Sequence, residues 1–429
     1  AIVPVIAIGM GVLILKEYGE LFRAVSLLPG NDAKARIADV IFDIVLNAKT
    51  AEGYPYTEPS DLDGIRRLRR SAPALPPPDK SALEGKILGA WTGRICGCLL
   101  GKPIEGVRTD ELIPFLKDCG NYPMHRYIMK RDADAEIMKK YRFGIAEFCM
   151  ADVIDGMPID DDVNYTVLAQ RIVDRHGRDF TSYDVSRDWM TLIGRYSCCT
   201  AERVAYRNFV NGYEPPESAV YKNPYREWIG AQIRGDYFGY INPGNPELAA
   251  EMAHRDACIS HVKNGIYGEM FVAAMLAAAA CTDDFEAVVS CGLAQIPCTS
   301  RLHEAVTDVL NGYRNGVPAA QCFADIHRRY DEHTEYGWCH TVPNAMIVAA
   351  AILYGGGDFS KSVCMAAETG FDTDCNGATV GSVVGMAKGI GCIDESWTKP
   401  INNTVRTSVF GVEEVSVSEL AAQTLKHIG

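Results

Sequence analysis

The chain has 429 residues, 48% hydrophobic and 23% charged, with a mean hydropathy of −0.04. That is the composition of a folded globular protein with room for one large domain or two modest ones. A formal net charge of −13 argues against a nucleic-acid or anionic-membrane surface, which needs clustered Lys and Arg; it leaves room for an anionic small molecule at a locally cationic or metal-loaded site.

In chain order, "AIVPVIAIGMGVLIL" (1–15) comes first, apolar but followed at once by Lys16 and Glu17. It is shorter than the roughly 20 residues of a spanning helix, is weakened by Pro4, Gly9 and Gly11, and lacks the basic leading region of a secretory signal. A buried strand or short helix is expected there, with oligomer contact as the second reading, and the missing initiator Met reads as a processed or truncated start. "AKARIADVIFDIVLNAKT" has apolar residues at helical spacing. The basic run Arg66 to Arg70, "RRLRR", reads as a solvated helix C-terminus. The prolines of "SAPALPPPDK" then mark a boundary. Residues 1–80 are therefore expected as a helical extension and linker, 81–395 as one catalytic domain, and 396–429 as a tail packed on it.

Within 81–395 nearly every segment reads helical. "KSALEGKILGAWTGRICGCLLG" is a glycine-rich apolar helix pattern, and "DDDVNYTVLAQRIVDRHG" runs from acidic caps to a Gly. "NGIYGEMFVAAMLAAAAC" is apolar nearly all round and predicts a central buried helix. "TVPNAMIVAAAILYGGG" starts with Thr341 and Pro343 and ends in three glycines. Strand patterns are scarce, so the fold class expected is all-α. The 15 cysteines, odd in number and without a C-x-x-C pair, predict free thiols in a reducing cytoplasm and no structural zinc.

Two acidic clusters carry the chemistry. Asp160, Asp161 and Asp162 open one helix; Asp372 and Asp374, in "ETGFDTDCNGATVGSVVG", open another. Capping alone accounts for an acidic helix start. "CTDDFEAVV" is the control: Asp283 followed by Glu286 reads as a capping box and nothing more. Three successive Asp exceed what a cap requires, however, and their repulsion calls for a cation. If both loops converge, five carboxylates suit two hard cations about 3.5–4 Å apart. The small residues Gly377, Ala378, Gly381, Ser382 and Gly385 allow the second helix to pack closely on a neighbour.

The ordered set of motifs resembles the ADP-ribosylglycohydrolase family. "GRICGCLLGKPIEG" (93–106) is similar to the family's G-x-x-x-G-x-x-x-G-x-P-x-E, "IDDDVNYT" to its T-D-D-T metal motif, and "GFDTDCNGATVG" to its closing G-x-D-T-D-T-N. The segment from Trp228 to Gly268 is similar to the one where the family contacts ADP-ribose. The resemblance implies an orthogonal multi-helix bundle, and a hydrolase that cleaves the glycosidic bond between ADP-ribose and a protein side chain or other acceptor. It implies two Mg²⁺ or Mn²⁺ ions on Asp161, Asp162, Asp372 and Asp374, with Asp160 in the place of a ligating Thr. Glu105, Asp161 and Asp374 are the implied catalytic residues, Glu105 as general acid or base. Gly230, Arg234, His261 and Asn376 are the implied substrate contacts.

Departures from the family pattern are Cys375 at a ligating Thr, Cys98 where relatives carry Asp, and Trp228–Ile229 in place of a Gly-Asn pair. They leave two other readings: a dinuclear-metal glycosidase acting on another ribosyl or nucleoside substrate, and a non-catalytic structural or assembly protein reusing the fold, as a lens crystallin does. The expected partner is an ADP-ribosylated protein or small ADP-ribosyl compound, without nucleic acid or membrane, in a chain able to self-associate through its extension.

Overall fold

The computed structural model describes residues 16–48, 52–334 and 337–429. The apolar stretch 1–15 lies outside the described residues, so nothing is added to its expected strand or short helix. Helices make up nearly all the regular structure; the two short strands described, Thr404–Arg406 and Glu414–Ser416, pair antiparallel with each other. No described helix is long and apolar enough to cross a membrane. All 15 cysteines are free.

The extension supplies helices Lys16–Ser26, Asp32–Leu46 and Leu62–Arg67, the second capped by Asn31. The basic run does terminate a helix at Arg67 but is not wholly solvated. Arg66 pairs with Glu251 at 2.6 Å, and Arg69 donates from Nε to the Gln295 carbonyl at 2.9 Å. Just before it, Glu58 fixes the extension to the body by accepting from Arg301 and from the Asn264 amide.

Five helices position the site: α1 (Leu83–Gly101), α2 (Asp161–His176), α3 (Asn264–Ala279), α4 (Thr341–Gly355) and α5 (Thr373–Lys388). All residues of α3 are buried, as its unbroken apolar pattern requires. α4 stops where Gly356 turns left-handed at φ 62°. α1 and α5 run antiparallel in close contact. A Cβ added at Gly89, Gly93 or Gly97 would overlap the backbone of Gly385, Gly381 or Gly377 across the interface. Glycine every fourth residue on both helices thus allows backbone to meet backbone. One end of this pair is also tied by Thr373, whose hydroxyl donates to the Gly101 carbonyl at 2.9 Å. That contact sets Lys102 against Asp374.

The C-terminal helix Val417–His427 packs on the outside of this group: Trp91 donates from Nε1 to Thr424 at 2.9 Å, and Gln170 donates to the Leu420 carbonyl. The control helix Phe285–Leu293 needs a correction. Its cap is Asp284, which accepts from the Glu286 and Ala287 amides, whereas Asp283 turns out to pair with Lys388 at 2.9 Å. The shift by one residue follows from where the extended backbone enters the helix, which sequence leaves ambiguous between adjacent Asp.

Candidate active site

The first acidic loop uses its residues differently. Asp160, in extended conformation, caps α2 by accepting from the Asp162 amide at 2.9 Å, leaving its second oxygen for other work. Asp162 is buried and anchored by Arg94, which is itself fully buried in α1. The guanidinium donates to the Asp162 carbonyl at 2.7 Å, lies 3.3 Å from its carboxylate, and reaches Asp236 at 3.0 Å. Asp161 is half-buried at the rim.

The second loop is delivered by left-handed backbone at Gly370 (φ 74°) and Phe371 (φ 57°). For a phenylalanine this conformation costs about 1–2 kcal/mol, offset by the burial of its ring. Asn344 on α4 then holds the loop: its side-chain oxygen accepts from the Asp372 amide at 3.2 Å and from Asn376 at 2.8 Å. The Cys339 thiol donates to Asp372 Oδ2 at 3.2 Å.

The two loops converge. Ligand atoms of Cys98, Asp160, Asp162 and Asp374 all lie within 4.8 Å of one another, and those of Asp372, Asp374 and Cys375 form a second such group, with Asp374 common to both. Asp161 belongs to neither tight group. Sequence reading missed Lys102, whose ammonium reaches into the first group. It lies 2.5 Å from Asp160, 3.2 Å from Glu105 and 3.5 Å from Asp374. Burial alone would lower its pKa, but the carboxylates of Asp160, Asp374 and Glu105 outweigh that and raise it, so the group stays charged. Arg94 was missed as well, although an Arg inside the apolar run "GRICG" is a signal that a buried acid must accompany it.

Crowding of carboxylates shows in their protonation. Glu105, with 39% of its side chain exposed, is pushed up to about 10, first by the Asp374 charge and then by burial. Burial, then the Asp160 charge, raises Asp161 to about 7. Burial raises Asp162 and Asp372 well above the carboxylate range, and likewise holds the Cys98 and Cys375 thiols protonated. Cys375 donates to Asp162 Oδ2 at 3.3 Å. Within this group the buried oxygens Asp372 Oδ1 and Asp374 Oδ1 have no donor. Buried carboxylate oxygens without donors favour a cation that would meet them and displace the protons, so the residues present fit a hard divalent ion.

The residues expected to contact substrate sit elsewhere in the contact network. Arg234 is buried and its guanidinium serves other protein groups: Asp256 at 2.5 Å, Glu202 at 2.8 Å, Ser260 at 3.0 Å and Glu269 at 3.5 Å. His261 is fully buried, 2.8 Å from the Ser260 hydroxyl, and burial beside Arg234 keeps its imidazole neutral. It lines a cavity of about 490 Å³ together with Ser60, Asp61 and His254. Gly230 passes so close to the Glu202 carboxylate that a Cβ there would overlap it. Asn376 is fully buried and bonded to Asn344.

The chain is thus an all-α bundle with a buried acidic centre, fed by two helix starts, that could hold a metal ion. A family model for ADP-ribosylglycohydrolase matches residues 79–426, and the chain belongs to that family, whose fold is that of glycosidases. Among solved structures, one described as an ADP-ribosylglycohydrolase-related protein complex is similar in fold, with a TM-score of 0.51 at 18% identity, covering 81% of this chain and 98% of that one. No curated protein matches the chain.

Proposed function

We propose that the chain hydrolyses the glycosidic bond joining ADP-ribose to a protein side chain or another acceptor, in a reaction that depends on divalent metal. The observation that carries this reading is the convergence of Asp160 and Asp162 with Asp372 and Asp374 in two groups that share Asp374, with buried oxygens that lack donors and Glu105 partly exposed beside them. Asp162, Asp372 and Asp374, with Asp161 adjoining them outside the tight groups, would hold Mg²⁺ or Mn²⁺, which when bound would supply a grip on vicinal ribose hydroxyls and a water acidified for attack.

The chain's own groups do the rest. Glu105 acts as general acid and then base: it gives a proton to the departing acceptor and, as carboxylate, takes one from the attacking water. The carboxylate density of Asp161 and Asp374 faces the positive charge that develops on the ribose as the bond breaks. Arg94 keeps Asp162 in place, and Asn344 does the same for Asp372. Gly230, Arg234, His261 and Asn376 act by shaping the surrounding wall.

The test is release of free ADP-ribose from peptides ADP-ribosylated on arginine or serine, followed by chromatography with Mg²⁺, with Mn²⁺ and with chelator. Metal-dependent release that Asp374→Ala lowers by orders of magnitude is expected. Release unchanged in chelator, or near-normal turnover by Asp374→Ala, would overturn the reading.

A further inference from the structure

The geometry points to Lys102 as a tethered cation that occupies one of the two cation positions of the acidic group, so that the chain takes up one divalent ion where its motifs suggest two. This rests on the reading that the group holds metal at all. The two sets of ligand atoms are not equivalent. In the first, Lys102 is already seated between Asp160 and Asp374, with only 18% of its side chain exposed. One Asp160 oxygen caps α2 through the Asp162 amide; the other has no hydrogen-bond partner and is met by the Lys102 ammonium as an ion pair at 2.5 Å. The second set, Asp372, Asp374 and Cys375, contains the donor-free oxygens Asp372 Oδ1 and Asp374 Oδ1.

The position of the charge explains the pairing. Asp160 stands where the family motif has a neutral Thr and Cys98, in the same set, where relatives carry Asp; the formal charge of the set is thus unchanged, but one carboxylate is moved to within 2.5 Å of the Lys102 ammonium. An ammonium is a compact point charge with three donors, suited to bridging several carboxylates. A divalent ion entering the first set would have to displace it or sit against a like charge. An ion in the second set can take the donor-free oxygens Asp372 Oδ1 and Asp374 Oδ1, while Asp372 Oδ2 keeps its bond from Cys339 and the Cys375 thiol keeps its bond to Asp162.

The experiment is Mn²⁺ titration of the chelator-stripped full chain, followed by electron paramagnetic resonance. The comparison is with Lys102→Met and with the double variant Lys102→Met/Asp160→Thr, which removes both members of the shortest ion pair while a Thr at 160 can still cap the helix. Wild type is expected to bind one Mn²⁺ with an uncoupled six-line signal. The double variant should bind a second ion at least about tenfold more tightly than wild type does, with spin coupling between the two. Two coupled ions in wild type, or one ion in every variant, would overturn the assignment of Lys102 while leaving a metal centre in place. No Mn²⁺ bound by any variant would overturn the metal reading itself.

Discussion

Asp161→Asn should change how the metal-free protein responds to pH. In the folded chain the Asp161 proton is held up to about pH 7, against 3.8 for the ordinary side chain. A raised native pKa means that the stabilising proton is fully present below 3.8 and that stability is lost as pH rises through the folded value. From about pH 5 to about pH 7 the unfolded chain has lost a proton that the folded chain keeps, worth about 1.4 kcal/mol per pH unit or about 3 kcal/mol in all. Partial exposure and sharing of charge with Asp160 reduce this to about 1–2 kcal/mol. His254, His261 and His303, whose pKa values burial lowers, act in the opposite sense, because the unfolded chain takes up their protons as pH falls. The raw pH profile of wild type therefore mixes both signs, and the informative quantity is its difference from the variant. Urea unfolding in chelator, at about pH 5 and about pH 7.5, should find Asp161→Asn gaining about 1–2 kcal/mol on wild type as pH rises. Identical pH dependence in the two proteins would refute the argument that like charge and burial set this carboxylate.

Gly97→Ala should cost about 1–3 kcal/mol or more in urea unfolding, since its Cβ would overlap the Gly377 carbonyl, whereas Gly85, with open space around it, should gain up to about 1 kcal/mol from the same change. Arg94→Met leaves Asp162 and Asp236 buried without their cation and should cost about 3–5 kcal/mol, read the same way; bound Mn²⁺ should fall with it. Asp284→Ala removes a cap worth about 1 kcal/mol and should leave ADP-ribose release unchanged, whereas Asp374→Ala should abolish release with little loss of helix content by circular dichroism.

The helices and the two acidic loops were legible because both are written locally. An unbroken apolar run gave α3, start and stop residues gave α4, and the small residues after Asp374 gave a close contact whose partner, the Gly89–Gly93–Gly97 face of α1, carried the same four-residue spacing. Lys102 was not legible. Its meaning depends on Asp160 and Asp374, far away in sequence, and nothing near position 102 announces them. Resemblance implied Arg234 as a substrate contact; the ion pairs it makes with Glu202, Asp256 and Glu269, acids drawn from separate helices, were not legible from its neighbours in sequence. The Asp283 cap moved to Asp284 because capping depends on one residue's backbone angles, which two adjacent Asp cannot distinguish.

Calorimetric titration of ADP-ribose into metal-stripped protein, with and without Mn²⁺, tests the central claim most directly. The account predicts binding only when Mn²⁺ is present, and its loss in Asp374→Ala. Equal binding in chelator, or no metal uptake by the wild-type chain, would contradict it.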